Sequence, residues 1–141
     1  MEGDFFGKGK RELKKDYILC GNCIELMEDM PESCIDLTVT SPPYDNLRNY
    51  DCCEFESIPV IHGLFRITKP GGIVVWVVND ATICGSETGT SFRQTIDFMQ
   101  AGFNLYDTMI CRKVNPTPNH ARRYQQSFEY MFVFSKGKLN M

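Results

Sequence analysis

The stretch Val39-Thr40-Ser41-Pro42-Pro43-Tyr44 decides how the rest of the 141-residue chain is interpreted. It closes an apolar run, Cys34–Thr40, whose β-branched residues predict a buried strand. The two prolines stop that strand, because neither can donate a hydrogen bond to a sheet ladder. In open α/β sheets, ligands bind at the carboxyl ends of the strands. A hydroxyl, main-chain carbonyls and the Tyr44 ring at such an end predict a pocket for a planar group that carries an NH2.

Length and composition indicate one globular domain with enough apolar residues for a core. The formal net charge of −3 argues against a protein that coats nucleic acid, although a local basic patch can still bind it. No apolar run is long enough to span a membrane, so no membrane partner is expected. Residues 1–15 are charged and lack the apolar core of a signal peptide, which predicts a flexible tail.

The seven cysteines fit a reducing compartment, and we expect a cytoplasmic protein. The stretch Cys20-Gly21-Asn22-Cys23 has the spacing of a redox or metal pair. A zinc site would need a second pair or suitably spaced histidines, which the sequence does not offer, so no metal site is predicted. Two reduced cysteines on either side of a turn are favoured over a redox motif.

Apolar periodicity predicts strands that alternate with helices. The predicted strands are Tyr17–Cys20, Cys34–Thr40, Ile73–Val78, Phe103–Cys111 and Ser127–Phe134. The predicted helices are Ile24–Met30, Ser57–Thr68 and Ser91–Ala101, with Asn22 capping the first and Ser57 the second.

Three finer predictions concern the middle of the chain. Lys69-Pro70-Gly71-Gly72 predicts a tight turn before the second long strand. In the third helix, the residues predicted to face the core are Phe92, Thr95, Ile96 and Met99, and Gly102 is expected to end the helix. Asp80 follows a strand, where it is either a site residue or a cap for the next segment.

Two stretches resemble the amino-methyltransferases that act on DNA bases. Ser41-Pro42-Pro43-Tyr44 resembles their catalytic motif, which reads Asp, Asn or Ser, then Pro-Pro, then an aromatic residue. The tail from Arg112 to Lys138, with Asn-Pro-Thr-Pro, Arg-Arg-Tyr and Ser-Phe-Glu-Tyr-Met-Phe-Val-Phe-Ser-Lys-Gly-Lys, is similar to the end of their catalytic segment. The turn at Asn22 is similar to one in which the family usually has Asp. The resemblance covers about residues 17 to 138.

The resemblance implies an α/β fold, a partial Rossmann-like methyltransferase sheet with flanking helices that lacks the Gly-rich cofactor half. Residues 16–141 then form an incomplete catalytic domain. The implied reaction moves a methyl group from S-adenosylmethionine to cytosine N4 or adenine N6 of DNA, as in restriction-modification, and Ser in the first position favours cytosine. The implied catalytic residues are Ser41, Pro42, Pro43 and Tyr44, and the implied cofactor contacts are Asn22, Cys23, Thr40 and Ser41.

The loop between the last two predicted strands is the predicted DNA-binding segment. Its basic side chains can neutralise phosphates, and its amides and imidazole can reach a base edge. The residues in question are Arg112, Lys113, Asn115, Asn119, His120, Arg122 and Arg123. The alternative is a solvated charged loop without a ligand.

The family's Gly-rich motif, Asp-Pro-Phe-x-Gly-x-Gly, carries the methionine end of the cofactor site, and the full motif does not occur in this sequence. Without the strands of that half, the strand that ends at Ser41 has a free edge, which invites pairing. We therefore expect DNA as one partner and a homo-oligomer or a complementing C-terminal half as another. The alternative function is a catalytically inactive remnant, or half of a split enzyme, that binds DNA weakly. Methylation of RNA or of a protein glutamine is a third reading, which Ser41 disfavours.

Overall fold

The computed structural model describes residues 16–43, 55–116 and 123–139. The helices are α1 (Cys23–Glu28), α2 (Ser57–Ile67) and α3 (Thr90–Gln100). The strands are β1 (Ile35–Thr40), β2 (Thr68–Val78), β3 (Thr82–Ile83), β4 (Ser86–Glu87), β5 (Asn104–Arg112) and β6 (Phe128–Ser135). None of the helices in this part of the chain is long and apolar enough to cross a membrane.

Four strands form one mixed sheet in the order β1-β2-β6-β5. β1 and β2 are parallel, whereas β6 is antiparallel to both β2 and β5. β5 therefore runs in the same direction as β1 and β2, and the carboxyl ends of these three strands lie at one end of the sheet. We call this the carboxyl end of the sheet. The mixed α/β architecture with flanking helices confirms the predicted fold class.

The core lies on one face of this sheet. Alternate residues of β2 and β6, such as Val74 and Phe134, pack there against side chains from all three described helices. The Phe98 ring of α3 stacks on Phe134 at 4.1 Å between centroids. The other face of β2 carries Ile73, Val75 and Val77, which remain partly exposed. The described helices thus cover one face of the sheet.

β1 corrects the prediction of a buried strand. It lies at the edge of the sheet, with β2 as its strand neighbour among the described residues. Leu37 is 58% exposed and Val39 is 63% exposed, although their residue types suit a sheet interior. The expected free edge is therefore present in this part of the chain.

The predicted strand Tyr17–Cys20 is wrong, because the structure has irregular backbone there. Ile18 is 94% exposed. Extended chain gains ladder hydrogen bonds only beside another strand. The strand neighbour that this apolar segment would need is not found among the described residues.

The Lys69-Pro70-Gly71-Gly72 stretch lies within β2 and is not a separate turn. Thr68 pairs with Ile35 of β1, yet Ile73 pairs with Leu37, so the extra residues of β2 bulge out of the ladder. Gly72 is required there, because a Cβ atom would lie 2.9 Å from the Lys69 carbonyl oxygen and 3.0 Å from that of Asp36. Proline and glycine interrupt the regular backbone at this stretch as expected, but they form a bulge within β2 and not a separate turn.

The helices form where they were expected, within two residues at each end. Asn22 caps α1 as predicted, since its Oδ1 accepts a hydrogen bond from the Ile24 N–H at 2.9 Å. The capping role of Ser57 is wrong: Glu56 is the cap residue of α2, and its side chain makes no capping hydrogen bond.

The predicted inner face of α3 is wrong for three of its four residues. The buried residues are Ser91, Gln94, Thr95 and Phe98, while Phe92, Ile96 and Met99 are about half exposed. Two polar contacts determine which face of α3 is buried. The Trp76 indole N–H donates to Gln94 Oε1 at 2.9 Å, and Ser91 donates to the buried Asp80 carboxylate. Gly102 follows the end of α3 with a φ of +108°, as predicted.

Candidate functional site

The Ser41-Pro42-Pro43 stretch leaves the carboxyl end of β1. Thr40 is in register with Trp76 of β2, so the prolines lie beside the last residues of β2. Ser41 is exposed, Pro42 is buried and Pro43 is partly exposed. Ser41 therefore lies at the surface next to the buried Pro42, at the carboxyl end of the sheet where the motif was predicted. Tyr44 lies outside the described residues.

Asp80 follows β2 at the same end of the sheet and is almost fully buried. Its carboxylate accepts hydrogen bonds from the Ser91 main-chain N–H at 2.9 Å and the Ser91 hydroxyl at 2.6 Å. The Thr88 hydroxyl adds a longer bond at 3.4 Å. A carboxylate at a helix N-terminus is favoured by the helix dipole. Of the two roles weighed for Asp80, the structure therefore shows the cap, here for α3.

Asn79 links β2 to the basic loop. Its Oδ1 accepts a hydrogen bond from the Asp80 N–H at 3.0 Å and another from Gln126 Nε2. Gln126 lies two residues before β6, at the base of the predicted DNA-binding loop. No sequence pattern indicated this contact, because single amides in a loop carry no periodicity.

The base of that loop is hydrogen-bonded on both sides. The Lys113 N–H donates to the Ser127 carbonyl at 2.7 Å, and Gln125 Nε2 donates to the Pro116 carbonyl at 3.0 Å. Since β5 enters the loop and β6 leaves it, the loop base lies at the carboxyl end of the sheet, as Ser41 does. Asn115 is exposed there. Three other residues of the predicted DNA-binding loop lie outside the described residues: Asn119, His120 and Arg122.

Two of the loop's cations already have carboxylate partners. Lys113 Nζ is 3.0 Å from the carboxylate of Glu129, and the Arg123 guanidinium is 3.7 Å from that of Glu87. Arg112 is exposed at the end of β5. Exposed ion pairs are weak, so phosphates can displace them. These carboxylates nevertheless reduce the net positive charge near the loop base.

The residues implied as cofactor contacts are dispersed over two elements. Asn22 and Cys23 start α1, where the Asn22 side-chain oxygen is used for the cap. Thr40 and Ser41 stand at the end of β1. Cys20 and Cys23 are both exposed free thiols. Within residues 16–43, 55–116 and 123–139, no group of three or more His, Cys, Asp or Glu side chains could hold a metal ion.

The donor groups for the methionine end of S-adenosylmethionine are not assembled in the described part of the chain. The spacing Phe-x-Gly-x-Gly occurs at Phe5-Phe6-Gly7-Lys8-Gly9. That stretch lies outside the described residues. Because Asn22 and the end of β1 alone do not enclose a cofactor, the described residues fit only part of a cofactor site.

The fold and the site together define a class. A parallel strand that ends in Ser-Pro-Pro at the carboxyl end of an α/β sheet, with a basic loop at the same end, is the arrangement of the base-methylating enzymes that the sequence resembles. The family model described as DNA methylase matches residues 35–140. The chain belongs to this family of N6/N4 amino-methyltransferases.

Individual relatives agree with this assignment. The orphan methyltransferase M.BamHII of Bacillus amyloliquefaciens is 55% identical over 113 residues, which are 80% of this chain and 43% of the relative. The structure of TTHA0409 from Thermus thermophilus, complexed with S-adenosyl-L-methionine, superposes with a TM-score of 0.69 at 26% identity, over 86% of this chain and 55% of that one. The cytosine-N4-specific PvuII DNA methyltransferase has the same fold, with a TM-score of 0.71 at 23% identity over 84% of this chain and 48% of that one. The chain thus spans about half the length of these relatives.

Proposed function

We propose that this chain supplies the target-base half of a DNA amino-methyltransferase. The observation that carries the proposal is the placement of Ser41 and Pro42 at the carboxyl end of β1, at the same end of the sheet as the base of the basic loop. Cytosine N4 is the proposed acceptor, because Ser in the first motif position favours it, and adenine N6 is the alternative.

The proposed chemistry uses hydrogen bonds and no covalent nucleophile. A base flipped out of the duplex stacks on the Tyr44 ring. The Ser41 hydroxyl and the Pro42 carbonyl accept hydrogen bonds from its NH2 group. These acceptors orient the nitrogen lone pair and stabilise the positive charge that develops on nitrogen. S-adenosylmethionine, when bound, supplies the methyl group.

DNA is the proposed substrate, and the cytoplasm is the proposed location. The loop residues Arg112, Lys113, Asn115 and Arg123 would contact the phosphates and base edges beside the flipped base. Binding through Lys113 and Arg123 requires phosphates to replace the carboxylates of Glu129 and Glu87. The affinity for DNA should therefore fall with rising salt, with a modest slope that reflects few net charges.

The other half of the site would come from a complementing segment. β1 has a free edge in the described part, and the apolar face formed by Leu37, Val39 and Val75 has no described helix on it. Sheets of this class carry helices on both faces. We propose that a Gly-rich half pairs with β1 and covers this face, from further sequence of the same polypeptide or from another chain. Pairing of β1 with a second copy of this chain is the alternative occupant.

A chimera tests the proposed roles. The homologous 113-residue stretch of M.BamHII would be replaced by the matching part of this chain, which leaves the rest of that relative to complete the site. DNA incubated with the chimera and S-adenosylmethionine would be digested to nucleosides and analysed by mass spectrometry. We expect N4-methylcytosine, and Ser41→Ala should lower its rate of formation by about 100-fold, as loss of one hydrogen bond in the transition state does elsewhere.

Ser57→Ala is the matched control, since Ser57 is not the cap residue of α2 and lies outside the proposed site. It should methylate at the parent rate. A folded chimera that binds DNA but leaves no methyl mark would favour the inactive remnant. N6-methyladenine would move the assignment to the alternative base.

A further inference from the structure

A short hairpin, formed by β3 and β4, follows β2 at the carboxyl end of the sheet. The two strands are antiparallel, and Ile83 is paired with Ser86. The Thr88 N–H donates to the Ala81 carbonyl at 2.9 Å and closes the hairpin at its base. Ala81 is buried, whereas every residue from 82 to 87 is exposed. The hairpin therefore rests on a buried base and extends into solvent.

The tip of the hairpin is a two-residue turn, Cys84-Gly85. Both φ angles are positive, at +49° and +83°, which is the pattern of a type I′ turn. Such a turn matches the twist of the flanking strands, so the strands stay paired up to the tip. Ile83, directly before the turn, is 59% exposed. Single exposed apolar residues are common, so the surroundings of Ile83 decide whether it has a function.

Two arginine side chains lie at the base of the hairpin. The Arg93 guanidinium donates to the Thr88 carbonyl at 2.8 Å, and the Arg123 guanidinium is 3.7 Å from the Glu87 carboxylate. Arg93 is exposed on α3 and was not among the predicted DNA-binding residues, whereas Arg123 was. Guanidinium groups bind phosphates, and exposed apolar side chains insert between base steps. An apolar tip with two guanidinium groups at its base therefore fits duplex DNA.

The hairpin and the proposed target-base residues lie at the same end of the sheet. Thr40, directly before Ser41, is in register with Trp76 of β2. β2 ends at Val78, and the hairpin begins at Thr82. An apolar side chain at this end can enter the space that a flipped base leaves, and it replaces part of the lost base contacts.

We propose that the hairpin inserts Ile83 into the duplex at the place of the flipped base, while Arg93 and Arg123 bind the flanking phosphates. The inference rests on the proposed function, because such a wedge is needed only where a base leaves the stack. The complementing half of the enzyme is the other candidate partner for the hairpin tip. The two guanidinium groups favour a polyanion over that protein segment.

Fluorescence anisotropy of labelled DNA tests the wedge with the 141-residue chain itself. Two duplexes of the same sequence would be titrated at about 50 mM salt, one intact and one with an abasic position at its centre. We expect the chain to bind the abasic duplex about tenfold more tightly, because the gap removes the cost of unstacking and buries the isoleucine. Ile83→Ala should lose most of this preference, and Ile83→Leu should retain it.

Two further variants are controls, and circular dichroism verifies that all variants fold. Ile96→Ala removes a similarly exposed isoleucine, at 54%, from α3 and should keep the preference. Arg93→Gln should weaken binding to both duplexes by the same factor, since a phosphate contact does not detect the gap.

The possible failures are distinguishable from one another. Equal preference in the parent chain and in Ile83→Ala, with both bound to DNA, overturns the wedge and leaves the proposed function standing. A parent chain that binds neither duplex contradicts both. If Ile83→Ala binds DNA as the parent does but no longer combines with the rest of M.BamHII, the hairpin tip is a protein contact and the proposal is wrong.

Discussion

Removal of the Asp80 carboxylate should destabilise the chain markedly, because this group is a buried cap. Asp80→Ala leaves the N–H and hydroxyl of Ser91 without their acceptor, and Ser91 is itself buried. Each unsatisfied buried donor costs about 1–3 kcal/mol, and the lost cap interaction with α3 adds about 1 kcal/mol. Allowing for the carboxylate desolvation that is recovered, we expect the free energy of unfolding to fall by about 3 kcal/mol.

Urea denaturation followed by circular dichroism measures this loss. With a slope of about 2 kcal/mol per molar urea, the midpoint should fall by about 1.5 M. Asp80→Asn keeps one acceptor oxygen, so it should cost about half as much. Asp36→Ala is the control, since Asp36 forms an exposed ion pair with Lys69 at 2.7 Å, which is worth less than about 1 kcal/mol. An Asp80→Ala midpoint equal to that of Asp36→Ala would refute the assignment of Asp80 as a structural cap.

Three further predictions concern packing and thiol reactivity. Gly102→Ala should cost about 2 kcal/mol in thermal denaturation, because the residue has a φ of +108° and its Cβ would lie 2.9 Å from the Phe65 ring; equal stability would contradict this. Gly63→Ala should be near neutral, since its Cβ would meet only the flexible end of Met27 in a helix that gains from alanine. Burial raises the pKa of the Cys34 thiol despite opposing effects of its main-chain hydrogen bond and nearby cations, so less of it is thiolate at pH 8. Iodoacetamide should therefore label Cys34 more slowly than the exposed Cys84 in peptide mass spectra, and equal labelling rates would be inconsistent with that shift.

Local patterns were sufficient to predict most elements and the position of the motif. The β-branched run before Ser41 predicted β1, and the two prolines predicted its end. The apolar stretch at 73–78 and the alternation at 103–111 and 127–134 predicted the other long strands to within a few residues. The common end of the sheet for the motif and the basic loop follows from the observed pairing, because β1, β2 and β5 run in the same direction.

The errors arose where long-range contacts outweigh local pattern. The inner face of α3 could not be predicted from its own sequence. It depends on the hydrogen bonds that Ser91 forms with Asp80 and that Gln94 forms with Trp76. β1 has the composition of a buried strand but lies at an edge of the described sheet, since sequence composition does not reveal which neighbours are present.

The contact between Asn79 and Gln126 shows the same limit in the site. These amides are 47 residues apart, and neither belongs to a periodic pattern. The roles of Ser41 and Tyr44 in the chemistry remain predictions from the motif. The structure adds the position of Ser41 at the carboxyl end of β1.

Calorimetric titration with S-adenosylmethionine tests the central claim, that this chain holds the target-base half of a methyltransferase site. The titration would be run on the 141-residue chain alone and on the chain mixed with the part of M.BamHII that lies outside the matched 113 residues. We predict no measurable heat from the chain alone and micromolar binding from the mixture, which a Leu37→Lys substitution at the β1 edge should weaken. Micromolar binding by the chain alone would contradict the account, because the 141 residues would then complete a cofactor site without a second half.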